Sequence, residues 1–170
     1  MFDKFREACG IFGILGRPEA ANLTYLGLYA LQHRGQESAG IVVSDSHSLH
    51  LERGMGLVAD VFSEARLRRL KGTLAIGHVR YSTTGSSQLK NAQPIVASYR
   101  HGGVALAHNG NLVNAHLLKA ELEARGSIFS STTDSEVIVH LIARSGSDNL
   151  VEATAEALNR VSGPSDSIGA

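Results

Sequence analysis

Four polar features of this 170-residue chain stand at the ends of apolar runs or at a helix start, where side chains can converge on a cleft: Cys9, Arg80, Asn109-Gly110 and Asp134. Each has a chemical reading and a plain one. Cys9 offers a nucleophilic thiol, yet a lone cysteine is commonly a small buried hydrophobe. Arg80 is a fixed positive charge, or simply a strand-end charge in solvent. Asn109-Gly110 places a side-chain amide next to a residue without a Cβ, or is only a sharp turn whose two residues tolerate positive φ. Asp134 carries a negative charge to the first turn of a helix, where the macrodipole alone favours it. The eight His fall at no familiar metal-ligand spacing, so no metal site is expected.

Composition limits what such a cluster could serve. Lys plus Arg number 16 and Asp plus Glu 16, so there is no net field to draw in nucleic acid or an acidic membrane. No window approaches the roughly 18 apolar residues of a membrane span, and Asp3 and Glu7 interrupt any signal peptide. The reading is a soluble, cytoplasmic chain of one domain's length, able to bury about two-thirds of its unfolded surface. The single cysteine excludes an internal disulfide and any Cys-based zinc or iron–sulfur site made by this chain alone.

The elements that must position these residues follow from the apolar pattern. Gly10 to Gly16 is short, Gly-bounded and apolar on both faces, which predicts a buried strand with Cys9 at its lip. Leu23, Leu26, Ala30 and Leu31 predict a helix from Asn22 to His33 with that stripe in the core, Asn22 as N-cap and Gly35 as the C′ glycine. Strands follow at 39–44 and 48–53 around an Asp45-Ser46-His47 turn. Ser63 caps a short basic helix to Leu70, with Arg66, Arg68 and Arg69 read as a solvated face. Thr73 to Tyr81 is a strand carrying His78 and Arg80, and residues 82–87 a loop.

A strand pair at 94–99 and 103–108 leads to Asn109-Gly110. Ala115 to Arg125 reads as a helix with Leu118 and Leu122 on one face, Leu117 beside them and Gly126 at its end. Thr133 and Glu136 have capping-box spacing before Val137, Ile138, Leu141 and Ile142. A last helix spans about 149–161. Strands grouped between inserted helices, without strict alternation, favour a layered sandwich over a doubly wound parallel sheet.

Taken together, Cys9-Gly10-Ile11-Phe12-Gly13-Ile14, the run Leu31 to Gly40 (LQHRGQESAG), Gly77-His78-Val79-Arg80-Tyr81 and Ala107-His108-Asn109-Gly110-Asn111-Leu112 resemble the glutaminase domain of class II glutamine amidotransferases. The four motifs occur in register over nearly the whole chain. Arg80-Tyr81-Ser82-Thr83-Thr84-Gly85 is similar to the branch that aminates phosphoribosyl pyrophosphate, rather than to aminosugar-forming relatives with Trp and His in that loop.

The resemblance implies an α+β fold, the four-layer αββα sandwich of N-terminal nucleophile hydrolases. It implies a propeptide at 1–8 and a partial glutaminase domain at 9–162, with Cys9 the nucleophile once it is the first residue. A free α-amine, pKa about 7.7–8.0, matches a thiol near 8.5 and can take its proton, whereas the amide of an internal Cys9 cannot. It implies Asn109 and Gly110 as oxyanion donors, and Arg80 and Asp134 as partners of the glutamine carboxylate and ammonium, with Thr83 a further contact. His33 to Gln36 is assigned a structural loop, and His78 and His108 are read as satisfied polar neighbours of the site.

The match stops after Val161. The family continues into an interior strand beginning Gly-Ala-Tyr, whereas Pro164 cannot donate to a central ladder, so 163–170 reads as a divergent tail and the sandwich as incomplete at its C-terminus. The expected phosphoribosyltransferase domain, with its phosphoribosyl pyrophosphate, magnesium, any iron–sulfur cluster and a homo-oligomeric parent, would lie in sequence not present here. Two rivals to a glutaminase remain open at this point: a module that binds amino-acid zwitterions without turnover, and an inactive fragment.

Overall fold

The computed structural model describes residues 9–81 and 87–163. The expected propeptide at 1–8, Thr83 within residues 82–86, and the tail from residue 164 lie outside the described residues.

Strand β1 (Gly10–Leu15) is followed by helix α1 (Ala20–Ala30), a single 3₁₀ turn (Gln32–Arg34), and the hairpin of β2 (Ser38–Ser44) and β3 (Leu49–Met55). Two one-turn helices, α2 (Val58–Val61) and α3 (Glu64–Leu67), lead to β4 (Leu74–Arg80). A 3₁₀ turn (Leu89–Asn91) precedes the hairpin of β5 (Ile95–Tyr99) and β6 (Gly102–Leu106), and α4 (Ala115–Ala124), α5 (Glu136–Arg144) and α6 (Leu150–Leu158) complete the order.

The first four strands form one antiparallel sheet in the order β1-β4-β2-β3, and β5 and β6 form a second. β2, apolar throughout its middle, is buried along nearly its whole length because α1 covers one face at Ile41 and Val43 and the Gln93-Pro94 segment lies against the other at Gly40. Helix α1 lies on one face of the larger sheet through Ala20, Ala21 and Leu28, in a core with Ile41, Val43, Ala75 and Val79. A second core joins α4, α5 and α6 through Leu118 and Leu122, Val137, Ile138, Leu141 and Ile142, and Ala153 and Ala157, with Leu106 of β6 packed against it.

Several local expectations are corrected. α1 starts at Ala20, two residues early, because Pro18-Glu19 makes the turn into it and Ala20 N–H bonds the Arg17 carbonyl. Its core face is Ala20, Ala21, Thr24 and Leu28, while Leu26 is 59% exposed and Ala30 is also exposed, so of the expected stripe Leu31 packs against this core and Leu26 and Ala30 do not. Gly35 is extended, with φ −159°, and closes the 3₁₀ turn rather than capping α1. Leu117 points to solvent on α4. Thr133 and Glu136 form no capping box. The Glu136 carboxylate instead accepts from the backbone N–H and hydroxyl of Ser130 and of Ser131, all at 2.5–2.8 Å, tying down the loop before α5.

The Arg66–Arg69 cluster is not a free solvated face either: Arg66 and Arg69 both donate to Glu52 at 2.7 Å, pinning α3 to β3. Elsewhere the turn chemistry is as expected: Ser63 caps α3, Asp45 accepts from His47 and Ser48 N–H, and Gly126 at φ 85° ends α4, while Asn149, read only as the start of the last helix, caps α6.

Candidate active site

The site gathers at the end of β4, and β4 dictates which residues can join it. Side chains alternate along a strand, so His78 and Arg80 share one face of β4 while Val79 enters the α1 core. The register pairs Gly10 with Val79, which sets Cys9, one residue earlier, beside the Arg80–Tyr81 step. Cys9 is half-buried there, its Sγ 3.4 Å from the Tyr81 N–H nitrogen and 3.5 Å from the Tyr81 carbonyl oxygen. The Arg34 guanidinium donates to the Cys9 carbonyl at 3.1 Å.

The segment from His33 to Glu37 does more than close a loop. A Cβ on Gly35 would stand 2.6–2.8 Å from the main-chain atoms of Arg80, so only glycine lets the loop lie across the strand end. Glu37 N–H then bonds the Arg80 carbonyl, and the Glu37 carboxylate pairs with the Arg80 guanidinium. Arg80 is only 3% exposed, which removes its reading as a strand-end charge in solvent. Among the described residues, His33 to Glu37 with Tyr81 and Ser87 line a cleft of about 360 Å³.

The other half of the site hangs from His78 and Gln93. His78 Nε2 lies 3.2 Å from the carbonyl oxygen of His108, and Gln93 Oε1 accepts the His108 N–H at 2.8 Å, so the residue before Asn109 is held from two directions. Burial pushes the His78 pKa down to about 4, partly countered by its bond to His108, and its Nδ1 has no partner among the described residues. The expectation that His78 is satisfied is therefore half met. Burial also lowers the His108 pKa, with Asp134 pulling the other way.

Asn109 and Gly110 are exposed, and neither has positive φ. The glycine answers a different need: a Cβ on Gly110 would stand 2.8 Å from His108 Nε2. Asp134 precedes α5 and faces this loop. One carboxylate oxygen accepts the Leu112 N–H at 2.7 Å and the other the Ser135 hydroxyl at 3.1 Å, and Ser135 Oγ lies 2.9 Å from His108 Nδ1.

The described candidates thus fall into two clusters bridged by β4. Cys9 and Arg80 sit at its end, and Asp134 with the His108–Gly110 loop is tied to it through His78. Sequence reasoning passed over Glu37, Arg34, Gln93 and Ser135. The alternation of His78 and Arg80 was a usable signal. The partners Glu37 and Gln93 were not legible, because only the folded loops bring them in. The described residues contain no group of three or more His, Cys, Asp or Glu able to hold a metal ion, and one cysteine cannot ligate a cluster, so no step is assigned to either.

The family profile described as "Glutamine amidotransferase domain" matches residues 64–155, more than half of the chain. The chain belongs to the glutamine amidotransferase domain family. Among relatives of this amidotransferase domain, the chloroplastic amidophosphoribosyltransferase of Vigna aconitifolia is 59% identical over 143 residues, covering 84% of this chain and 30% of the relative. The Staphylococcus aureus amidophosphoribosyltransferase is 50% identical over 163 residues, 95% of this chain and 33% of the relative.

The solved glutamine phosphoribosylpyrophosphate amidotransferase of B. subtilis, complexed with ADP and GMP, superposes with TM-score 0.84 at 48% identity over 90% of this chain and 33% of that one. A structure described as the allosteric regulatory enzyme of purine biosynthesis gives TM-score 0.85 at 49% identity over the same shares. The amidotransferase domain therefore has the mixed α+β fold of these enzymes and is homologous to amidophosphoribosyltransferases. It spans about a third of their length. The Vigna protein is chloroplastic, a compartment different from the cytoplasmic one expected from the sequence.

Proposed function

We propose that this chain is the glutaminase part of an amidophosphoribosyltransferase, in which Cys9, freed as the first residue by removal of residues 1–8, hydrolyses glutamine to glutamate and ammonia. The observation that carries the reading is that β4 has a half-buried thiol and a buried guanidinium at its end and, through His78, holds the loop of Asn109-Gly110 and Asp134. In a sandwich of four layers, α1 and the larger sheet face the smaller sheet and α4–α6.

Arg80 anchors the substrate α-carboxylate and Asp134 the α-ammonium, with Thr83 an added contact. The α-amine of Cys9 takes the thiol proton as Sγ bonds the side-chain carbonyl carbon. The resulting oxyanion is held by the Asn109 amide and the Gly110 N–H, donors fixed before the charge develops. Collapse breaks the C–N bond, the departing nitrogen leaves as ammonia with the returned proton, and water hydrolyses the thioester to glutamate. In the parent enzyme the ammonia displaces pyrophosphate from phosphoribosyl pyrophosphate to give 5-phosphoribosylamine for purine synthesis. The transferase domain, its magnesium and the homo-oligomeric assembly belong to sequence beyond this chain.

The test is covalent labelling of a protein whose first residue is Cys9 with an electrophilic glutamine analogue. One adduct on Cys9, suppressed by excess glutamine and unaffected by excess of an amide lacking the α-ammonium and α-carboxylate, is expected. Labelling indifferent to glutamine would overturn the assignment.

A further inference from the structure

We infer that Ser135 is a positioning residue that locks His108 in its Nδ1–H tautomer and so couples the Asp134 carboxylate to the Asn109-Gly110 loop. The inference rests on the function proposed above for its catalytic meaning, but its geometry stands apart from that reading. Ser135 is 1% exposed and its single hydroxyl proton can serve only one acceptor. Two groups lie within reach of Oγ: an Asp134 carboxylate oxygen at 3.1 Å and His108 Nδ1 at 2.9 Å. A carboxylate only accepts, so the proton goes to Asp134, and Oγ must then accept from His108 Nδ1–H. The chain runs in one direction, from His108 to Ser135 to Asp134.

Two consequences follow from that direction. His108 Nε2 carries the lone pair and lies 2.8 Å from the space a Gly110 side chain would fill, so the ring is a wall against which the Gly110 peptide rests. The other Asp134 oxygen holds the Leu112 N–H at 2.7 Å. The loop from 108 to 112 is therefore clamped at both ends by one carboxylate, directly at Leu112 and through Ser135 at His108. Engagement of a substrate ammonium by Asp134 would be felt at the oxyanion donors by way of these two bonds. Ser135 itself touches no reacting atom, and a displaced loop costs rate through misplacement of Gly110, on the order of 10²-fold per ångström.

The direct test is ¹⁵N NMR of the histidine-labelled 170-residue chain at neutral pH, with the His108 signals assigned from a His108→Gln variant. The wild-type ring is expected to show a protonated Nδ1 and a bare Nε2, and Ser135→Ala to remove that preference while the chain retains its cooperative unfolding. A bare Nδ1 in the wild type, or a tautomer untouched by Ser135→Ala, would overturn the inference. Glutamine hydrolysis by the form beginning at Cys9 supplies the second reading. Ser135→Ala should lower kcat by about 10–100-fold with KM nearly unchanged, and a raised KM at full kcat would contradict the positioning role. If the wild type releases no ammonia, the proposed function fails while the tautomer result still decides the role of Ser135.

Discussion

The two halves of the site are held in opposite ways. On the cysteine side the hydrogen-bond contacts of the thiol among the described residues are with the main chain of Tyr81, at 3.4–3.5 Å, and the supporting contacts from Arg34, Gly35 and Glu37 act largely on backbone. On the side of Asn109-Gly110, side chains do the holding: His78, Gln93, Ser135 and Asp134 each bond the loop or its neighbour. A nucleophile must move by a bond length as it attacks, whereas oxyanion donors work best when they need no reorganisation. The difference suits the two tasks proposed for these groups, and it can be broken from either side.

The largest expected effect is on the buried pair. Arg80→Ala removes the ion pair that the Arg80 guanidinium makes with the Glu37 carboxylate, 14% exposed, and chemical denaturation should show a loss of about 3–5 kcal/mol. Pairing Arg80→Met with Glu37→Leu should restore most of that stability without restoring glutamine affinity. Full stability in Arg80→Ala would mean that the pair does not hold the cysteine side together. Next comes Asn109→Ala. The exposed amide carries no fold contact among the described residues, so the melting temperature should stay while kcat falls by about 10²–10³, or 2.7–4 kcal/mol of transition-state stabilisation. Equal loss of stability and rate would erase the contrast between a rigid support and a functional donor.

The smallest effect is a pH dependence that belongs to the supporting network. His78 is neutral in the fold with a pKa pushed by burial from 6.5 to about 4, so between these values the unfolded chain binds more protons than the folded one. Its contribution to stability is full above pH 6.5 and is lost as pH falls through about 4. His78→Gln should flatten that part of a stability–pH curve, measured against the carboxylates that also titrate at low pH. Glu136 is one of these: burial works to raise its pKa, but hydrogen bonds from Ser130 and Ser131 outweigh burial and leave it lowered.

How much of this was legible in the sequence differs between the same two halves. Strand ends were readable because short Gly-bounded apolar runs and period-2 alternation leave little choice, and they put Cys9, His78 and Arg80 in their places; the burial of the first strand was not, since β1 is an edge strand of its sheet with Ile11 and Leu15 exposed rather than the buried strand expected. Helix faces were less so. The α1 stripe through Leu26 was misread, since Thr24 and Leu28 of the buried face stand where Gly77 gives the helix close approach, and a Cβ there would meet Thr24 at 2.5 Å. Local patterns that resemble caps also misled: Thr133 and Glu136 have capping-box spacing, but Glu136 gains more donors from Ser130 and Ser131 than one N-cap amide could offer. Ser135 and Gln93 carried no signal, because their partners are 27 and 15 residues away in sequence.

The central claim is that Cys9 acts through its own α-amine. It is tested most directly by comparing ammonia release from glutamine in two forms of the full-length parent, one beginning at Met1 and one beginning at Cys9. The account predicts stoichiometric glutamate and ammonia from the Cys9 form, none above background from the Met1 form, and none from either after Cys9→Ala. Equal rates from the Met1 and Cys9 forms would contradict it.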